Sequence, residues 1–175
     1  MKLPKNVKPE LCASDDETRQ SIFHPWTTKA EGDDNAAHLW ATDGRKMIRF
    51  PVQLEEGESV GVIPCKAFEI ARKECGRMKE SIIHANGVVT LSNGTTMPRP
   101  SDYNPPKAEQ VWPDKDRPVT FKVCLNAELL AEMQKAAGAK GVLLEFENDT
   151  SSIKVRFSSP AILGTEGILM PMRYV

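Results

Sequence analysis

The stretch Ala41-Thr42-Asp43-Gly44-Arg45-Lys46-Met47 decides how this chain is read. An apolar run ending in Trp40-Ala41, a Thr-Asp-Gly turn and a return run from Lys46 to Val52 make a β-hairpin. Far downstream lies Gly167-Ile168-Leu169-Met170-Pro171-Met172-Arg173, which stops two residues short of the last one. So apolar an end is unusual, because chain ends are generally polar and loose. Two readings stand: an edge strand that closes the core, or a tail in which Pro171 ends the pairing and the flexible Met thioethers line a surface groove.

Around the hairpin, Ala37-His38-Leu39-Trp40-Ala41 and a strand from Phe23 to Thr28, interrupted at Pro25, complete a meander. Its alternation puts one face in the core and leaves the other partly covered, with His38 a half-exposed strand histidine. Upstream, Pro4 and Pro9 break the first residues, Leu11-Cys12-Ala13 reads as the remnant of a helix, and Thr18 to Phe23 reads as a strand after the acidic Ser14-Asp15-Asp16-Glu17. Downstream, Val60 to Ile63 is a short strand and Pro64 starts a helix running from Cys65 to Met78. Asn86-Gly87 and Asn93-Gly94 then separate three apolar runs, Ser81 to Ala85, Val88 to Leu91 and Thr95 to Met97, as hairpin turns.

After a proline-rich connector from Pro98 to Pro113, the last third predicts a strand over Val119 to Val123 and an N-cap at Asn126. A helix follows from Ala127 to Ala137, stopped by Gly138, with Leu129, Leu130, Met133, Ala136 and Ala137 as its apolar stripe. Val142 to Phe146 and Ile153 to Phe157 form a hairpin with Ile153, Val155 and Phe157 inward and Lys154 and Arg156 outward. Gly167 to Met172 is the last strand.

With 175 residues, 40% of them hydrophobic and 27% charged, the chain can bury one good core or two small ones. No apolar run nears the roughly 18 residues of a membrane span, and Met1-Lys2-Leu3-Pro4-Lys5 lacks a signal-peptide core, so a cytoplasmic protein without membrane contact is expected. Cys12, Cys65, Cys75 and Cys124 are too scattered for a zinc pattern, also together with His24, His38 or His84, and too few for a disulfide scaffold. Reduced thiols and no cofactor or metal are expected. No nucleophile stands beside a base at a recognisable spacing and no phosphate loop occurs, so no catalytic residue is assigned; an enzyme using Cys65, Cys124 or a histidine is the remote alternative. A net charge of −1 lacks the basic excess of proteins that hold nucleic acid alone.

The Thr-Asp-Gly turn and the terminal Met-Pro-Met-Arg, in their order and separation, resemble motifs of the bacterial sliding clamp, the beta subunit of the replicative DNA polymerase. Asp16-Glu17-Thr18-Arg19 and, in the connector, Pro100-Ser101-Asp102-Tyr103 with Val111-Trp112-Pro113 extend the resemblance over most of the chain. It implies an α+β fold of the DNA-clamp type: repeated strand-helix-meander units, antiparallel sheets, and helices on one face. Three such units amount to one and a half clamp domains. Residues 1–113 correspond to one domain, made of 1–54, with its first helix reduced, and 55–113; residues 114–175 are a half-domain ending in the Met-Pro-Met-Arg tail. The family's first domain and the first half of its last one, which carry its ring contacts, have no counterpart. The usual closed ring is therefore not expected, and an origin in a phage or mobile element suits the reduction.

The resemblance further implies a pocket for short peptides of replication or repair proteins, built from Thr42, Gly44, Arg45, Lys46 and Met47, from Pro100 and Val111, and from Ile168, Leu169, Met170, Pro171 and Met172. Apolar and Met side chains suit aliphatic and aromatic anchors, while Arg45, Lys46 and Arg173 can meet a carboxylate. The family commonly has His-Arg after Asp-Gly where this chain has Arg45-Lys46, so its peptide preference is expected to differ. Encircling DNA needs basic helices, for which the chain offers Lys66, Arg72, Lys73, Arg77 and Lys135, residues that surface solvation explains equally well. Two non-catalytic readings thus stand: a peptide-binding module, or a reduced clamp that oligomerises by a new interface around DNA. The oligomeric state is open, and a monomer would touch DNA only weakly.

Overall fold

In the computed structural model the described residues are 1–76, 79–100, 103–112, 122–159 and 163–172, and the chain divides into two compact units, Met1–Trp112 and Pro113–Val175. The first unit opens with β1 (Lys2–Pro4), a 3-10 helix over Pro9–Cys12 and a single helical turn, α1 (Gln20–Phe23), and continues as a meander of β2 (Trp26–Lys29), β3 (Ala36–Thr42) and β4 (Met47–Gln53). The plan then repeats with β5 (Gly61–Val62), the ten-residue α2 (Cys65–Glu74), and β6 (Glu80–Asn86), β7 (Val88–Leu91) and β8 (Thr96–Pro98). A further turn, α3 (Ala108–Val111), lies in the connector. Each meander takes in the first strand of the other half: β5 pairs with β2, Val62 opposite Trp26, and β1 pairs with β6, Leu3 opposite Ser81. The resulting sheets run β4-β3-β2-β5 and β1-β6-β7-β8.

This exchange gives the unit one core. Met1, Leu3, Leu39 and Val52 from the first half pack with Ile63, Phe68, Ile83, Val89 and Leu91 from the second. Ser81, Ile83 and Ala85 are buried on alternate positions of β6, the period a strand imposes, and Ala67, Phe68 and Ala71 form the inward stripe of α2. An Arg72–Glu10 ion pair, largely buried, ties α2 to the 3-10 helix.

Several expectations are corrected. The segment read as a strand from Thr18 to Phe23 is the turn α1, because Asp16 Oδ1 accepts from Thr18 N at 2.9 Å, and the backbone N–H groups of Arg19 and Ile22 bond three residues back. The first residues, read as broken by Pro4, carry β1, since a three-residue edge strand tolerates proline at its end. The second face of β2–β4 is well covered, because the connector folds over it. Trp26 and Trp40 are fully buried there with Ala108, flanked by Met47, Tyr103 and Trp112. Arg49 stacks at 4.5 Å from the Trp112 ring and 5.5 Å from Trp40, while His38 stays half-buried, edge-on to Trp40. α2 ends at Glu74 rather than Met78, ahead of Gly76 at φ 51°; Arg77 and Met78 lie outside the described residues.

The second unit contains α4 (Ala127–Ala136) and the meander β9 (Gly141–Glu145), β10 (Ile153–Ser158) and β11 (Glu166–Leu169), in sheet order β11-β10-β9. Asn126 caps α4 by accepting from Glu128 N at 2.9 Å. Ile153, Val155 and Leu169 are buried on one face of the sheet. A Cβ on Gly167 would come within 2.4 Å of Met133 Cε, so glycine lets α4 seat on β11. Of the expected strand Val119 to Val123, residues 119–121 lie outside the described residues, and Lys122 and Val123 are not in a strand; Cys124 makes an isolated bridge to Met172. The last strand stops at Leu169, short of the expected Met172, because Pro171 cannot donate to a ladder.

All three tryptophans lie in the first unit, so their fluorescence follows that unit alone. Phe68→Ala should destabilise it by about 3–5 kcal/mol, the usual loss for a fully buried phenylalanine. Urea unfolding followed by tryptophan emission checks this, and a loss under about 1 kcal/mol would contradict the shared core.

Candidate functional site

The Thr42–Met47 turn is tied by its own side chains. Asp43 Oδ1 accepts from Arg45 N at 2.8 Å and Lys46 N at 3.0 Å, which holds the carboxyl below its ordinary range. Thr42 Oγ1 donates to Lys46 O at 2.6 Å and accepts from Gly44 N at 3.0 Å. Gly44 has φ 86°, a conformation that favours glycine. From outside, Arg19 Nη1 donates to Asp43 O at 2.8 Å, and a Cβ on Gly44 would lie 2.6 Å from its Nη2. Gly44 is thus needed both for the turn and for the approach of Arg19. Thr42 itself is buried and occupied by the turn; Arg45 and Lys46 are exposed, and Met47 leans into the aromatic cluster.

Next to Arg19, a cavity of about 520 Å³ is lined by Gln20, Phe23, His24, Arg99, Pro100 and Tyr103. The Tyr103 hydroxyl donates to His24 O at 2.6 Å and accepts from His24 N at 3.1 Å, and burial pushes its pKa up to about 12. The His24 ring stacks on Tyr103 at 5.9 Å, and burial lowers its pKa. Arg99 is fixed by donating to Val62 O at 2.9 Å and Ser59 Oγ at 2.8 Å. Pro100 alone was assigned to a site from sequence; Gln20, Phe23, His24, Arg99 and Tyr103 were not, although Tyr103 belongs to the Pro-Ser-Asp-Tyr match. Val111 is 70% exposed on α3 and does not line this cavity.

In the second unit a groove of about 560 Å³ has Met170, Pro171 and Met172 along it, facing Lys122, Asp149 and Thr150. Met170 is 64% and Met172 50% exposed, while Leu169 is 4% exposed, opposite Ile153 in the strand register. Leu169 thus packs in the core, and the residues after it border the groove. Ile168 faces away from the core, in a separate depression with Lys154 and Glu166. The sequence grouping of Ile168 to Met172 is split by strand alternation.

The basic residues make a thin surface. Arg72 is engaged by Glu10 and Lys66 by Glu69 at 3.0 Å; Lys73 and Lys135 are exposed, and Arg77 lies outside the described residues. Burial pushes the Cys65 thiol up to about 11, and its Sγ lies 3.2 Å from Phe23 O, so at neutral pH it is a protonated thiol and a poor nucleophile. Among the described residues, no three His, Cys, Asp or Glu side chains gather as metal ligands, and no helix is long and apolar enough to cross a membrane.

No protein-family model and no curated protein sequence matches the chain. Solved structures do. The sliding clamp of Bacillus subtilis aligns with a TM-score of 0.65 at 18% identity, over 98% of this chain and 48% of the clamp. A putative DNA polymerase III beta subunit from Eubacterium rectale gives 0.65 at 14% identity, over 98% and 50%. The beta subunit from Borrelia burgdorferi, solved in complex with a natural product, gives 0.61 at 15% identity, over 97% and 47%. The chain spans about half the length of these clamps. The chain has the mixed α and β, antiparallel-sheet fold of the bacterial sliding clamp, the beta subunit of DNA polymerase III.

Proposed function

We propose that the chain is a non-catalytic, sliding-clamp-like module of the cytoplasm that binds short peptides of DNA replication or repair proteins. The observation that carries this reading is the tail: two thioethers and a proline held at the surface along a groove, directly after a strand residue that is buried. Exposed methionines beside a polar rim offer adaptable apolar area, the property that suits peptide anchors of varied shape. In the first unit, the Thr42–Met47 turn presents Arg45 and Lys46, and Pro100, Phe23 and Tyr103 line a second recess together with the polar Gln20, His24 and Arg99. A carboxylate on the peptide would find its partner at Arg45 or Lys46.

Titration of a fluorescent pentapeptide of the Gln-Leu-x-Leu-Phe type tests the reading directly. Saturable binding is expected, and no binding at hundreds of micromolar to protein shown to be folded would remove it. Met170→Ala should weaken the peptide roughly tenfold, as truncation of an anchor contact does, while costing under about 1 kcal/mol of stability because the side chain is mostly exposed. The opposite result, a large stability loss with unchanged affinity, would make the tail structural. Thr42→Val removes the hydroxyl that both donates to Lys46 O and accepts from Gly44 N, at a cost of about 1–3 kcal/mol. Tryptophan-detected unfolding of the first unit measures that loss, and a neutral result would mean the turn holds without it.

A further inference from the structure

The second unit repeats one half of the first, but without the other half. With α4 set on α2, both ten residues long, Ala127 stands at Cys65, Cys124 at Val62 and Gly138 at Gly76, and both glycines have positive φ. The equivalent carbonyl accepts a hydrogen bond in both units, from different donors. After β8, Arg99 Nε donates to Val62 O at 2.9 Å; after β11, the backbone N–H of Met172 donates to Cys124 O at 2.8 Å.

What differs is the edge. In the first unit β1 covers β6, and Val62 pairs on its far side with Trp26. In the second unit, among the described residues, β9 is the uncovered edge of a three-stranded sheet and Cys124 bridges only Met172. The helix shows the same deficit. Ala67, Phe68 and Ala71 are buried in a core to which both halves contribute, whereas their counterparts Leu129, Leu130 and Met133 are not, and Leu129 is 47% exposed.

We propose that a second copy of this chain supplies the missing half. Lys122–Cys124 of each copy adds to β9 of the other, as β5 adds to β2 and β1 to β6, and the apolar stripes of the two α4 helices meet beneath the joined sheets. Each copy both offers a strand and lacks one, so the contact is self-complementary and closes with a twofold axis instead of growing into a filament. Strand addition satisfies the open backbone groups of β9, and burial of Leu129, Leu130 and Met133 removes apolar surface from water. The occupant is fixed by the first unit, which shows what this edge and this helix face receive when the counterpart half is present. The added strand shares Lys122 and Cys124 with the lining of the groove beside Met170 and Met172, and exchange at β9, which lies outside that groove, tells this contact from peptide binding.

Sedimentation equilibrium of the full chain tests it, combined with hydrogen exchange read by mass spectrometry. The weight-average mass should rise from 19.4 kDa towards twice that value between about 1 and 100 µM, as mass action requires for a dimer. Exchange should slow with concentration at Gly141–Glu145 and Lys122–Cys124. Leu129→Glu, at a partly exposed position that tolerates charge in the monomer, should weaken dimerisation roughly tenfold or more with unchanged circular dichroism. A chain that stays at 19.4 kDa throughout overturns the proposal. So does a dimer whose exchange is unchanged at β9, or one that Leu129→Glu leaves intact; the wild-type exchange pattern decides even if the variant fails to fold.

Discussion

The first unit depends on an exchange of strands. β1 belongs by sequence to the first half and pairs with β6 of the second, while β5 belongs to the second and pairs with β2 of the first. Neither half could bury its own hydrophobic face, since a meander and one helix enclose little volume and the surface left over is large. Crossing the strands merges Leu39 and Val52 with Phe68, Ile83 and Leu91 into one core. It also places Val62 where Arg99 can reach it, and so brings Pro100 and Tyr103 to the wall of the cavity beside α1.

Polar groups finish what the core begins. Arg19 bonds to the backbone carbonyl of Asp43, so the short, helix-poor segment before β2 and the hairpin turn are positioned by each other. Asp16 and Thr18 set the turn from which Arg19 projects. The Glu10–Arg72 pair does the same on the helix side and sits in a largely desolvated place, where losing one partner would leave an uncompensated charge. The exposed pairs on the outer face of the second unit, Lys154–Glu166 and Arg156–Glu145, are of a different kind: solvent screens them, and they contribute little.

The second unit has a small core for its apolar content. Among its described residues the buried hydrophobics are Ala137, Ile153, Val155 and Leu169, against exposed Leu129, Leu143, Phe146, Leu163, Ile168, Met170 and Met172. Two of these, Met170 and Met172, border a groove with charged and hydroxyl side chains opposite, while Leu129 lies on a helix whose counterpart in the first unit is covered. The same deficit of packing thus has two different neighbourhoods, a groove with a polar rim and a helix face without a covering half.

Much of this was legible in the residues themselves. Alternation marked β3 and β10, Asn-Gly pairs marked the hairpins between β6, β7 and β8, and Asn126 and Gly138 bracketed α4, because each signal is local and needs no partner to act. The Thr-Asp-Gly turn was legible for the same reason: its bonds run within five residues. Local signals failed where a distant segment decided the outcome. Lys2–Pro4 became a strand because β6 offered an edge, Trp40 was buried because the connector folded over it, and Leu169 and Met170, adjacent in one apolar run, were sent to core and groove by the register against β10. Sequence determined which segments could form strands, helices and turns; only tertiary structure decided which faces were covered, since burial depends on what another part of the chain brings and not on the residue that is buried.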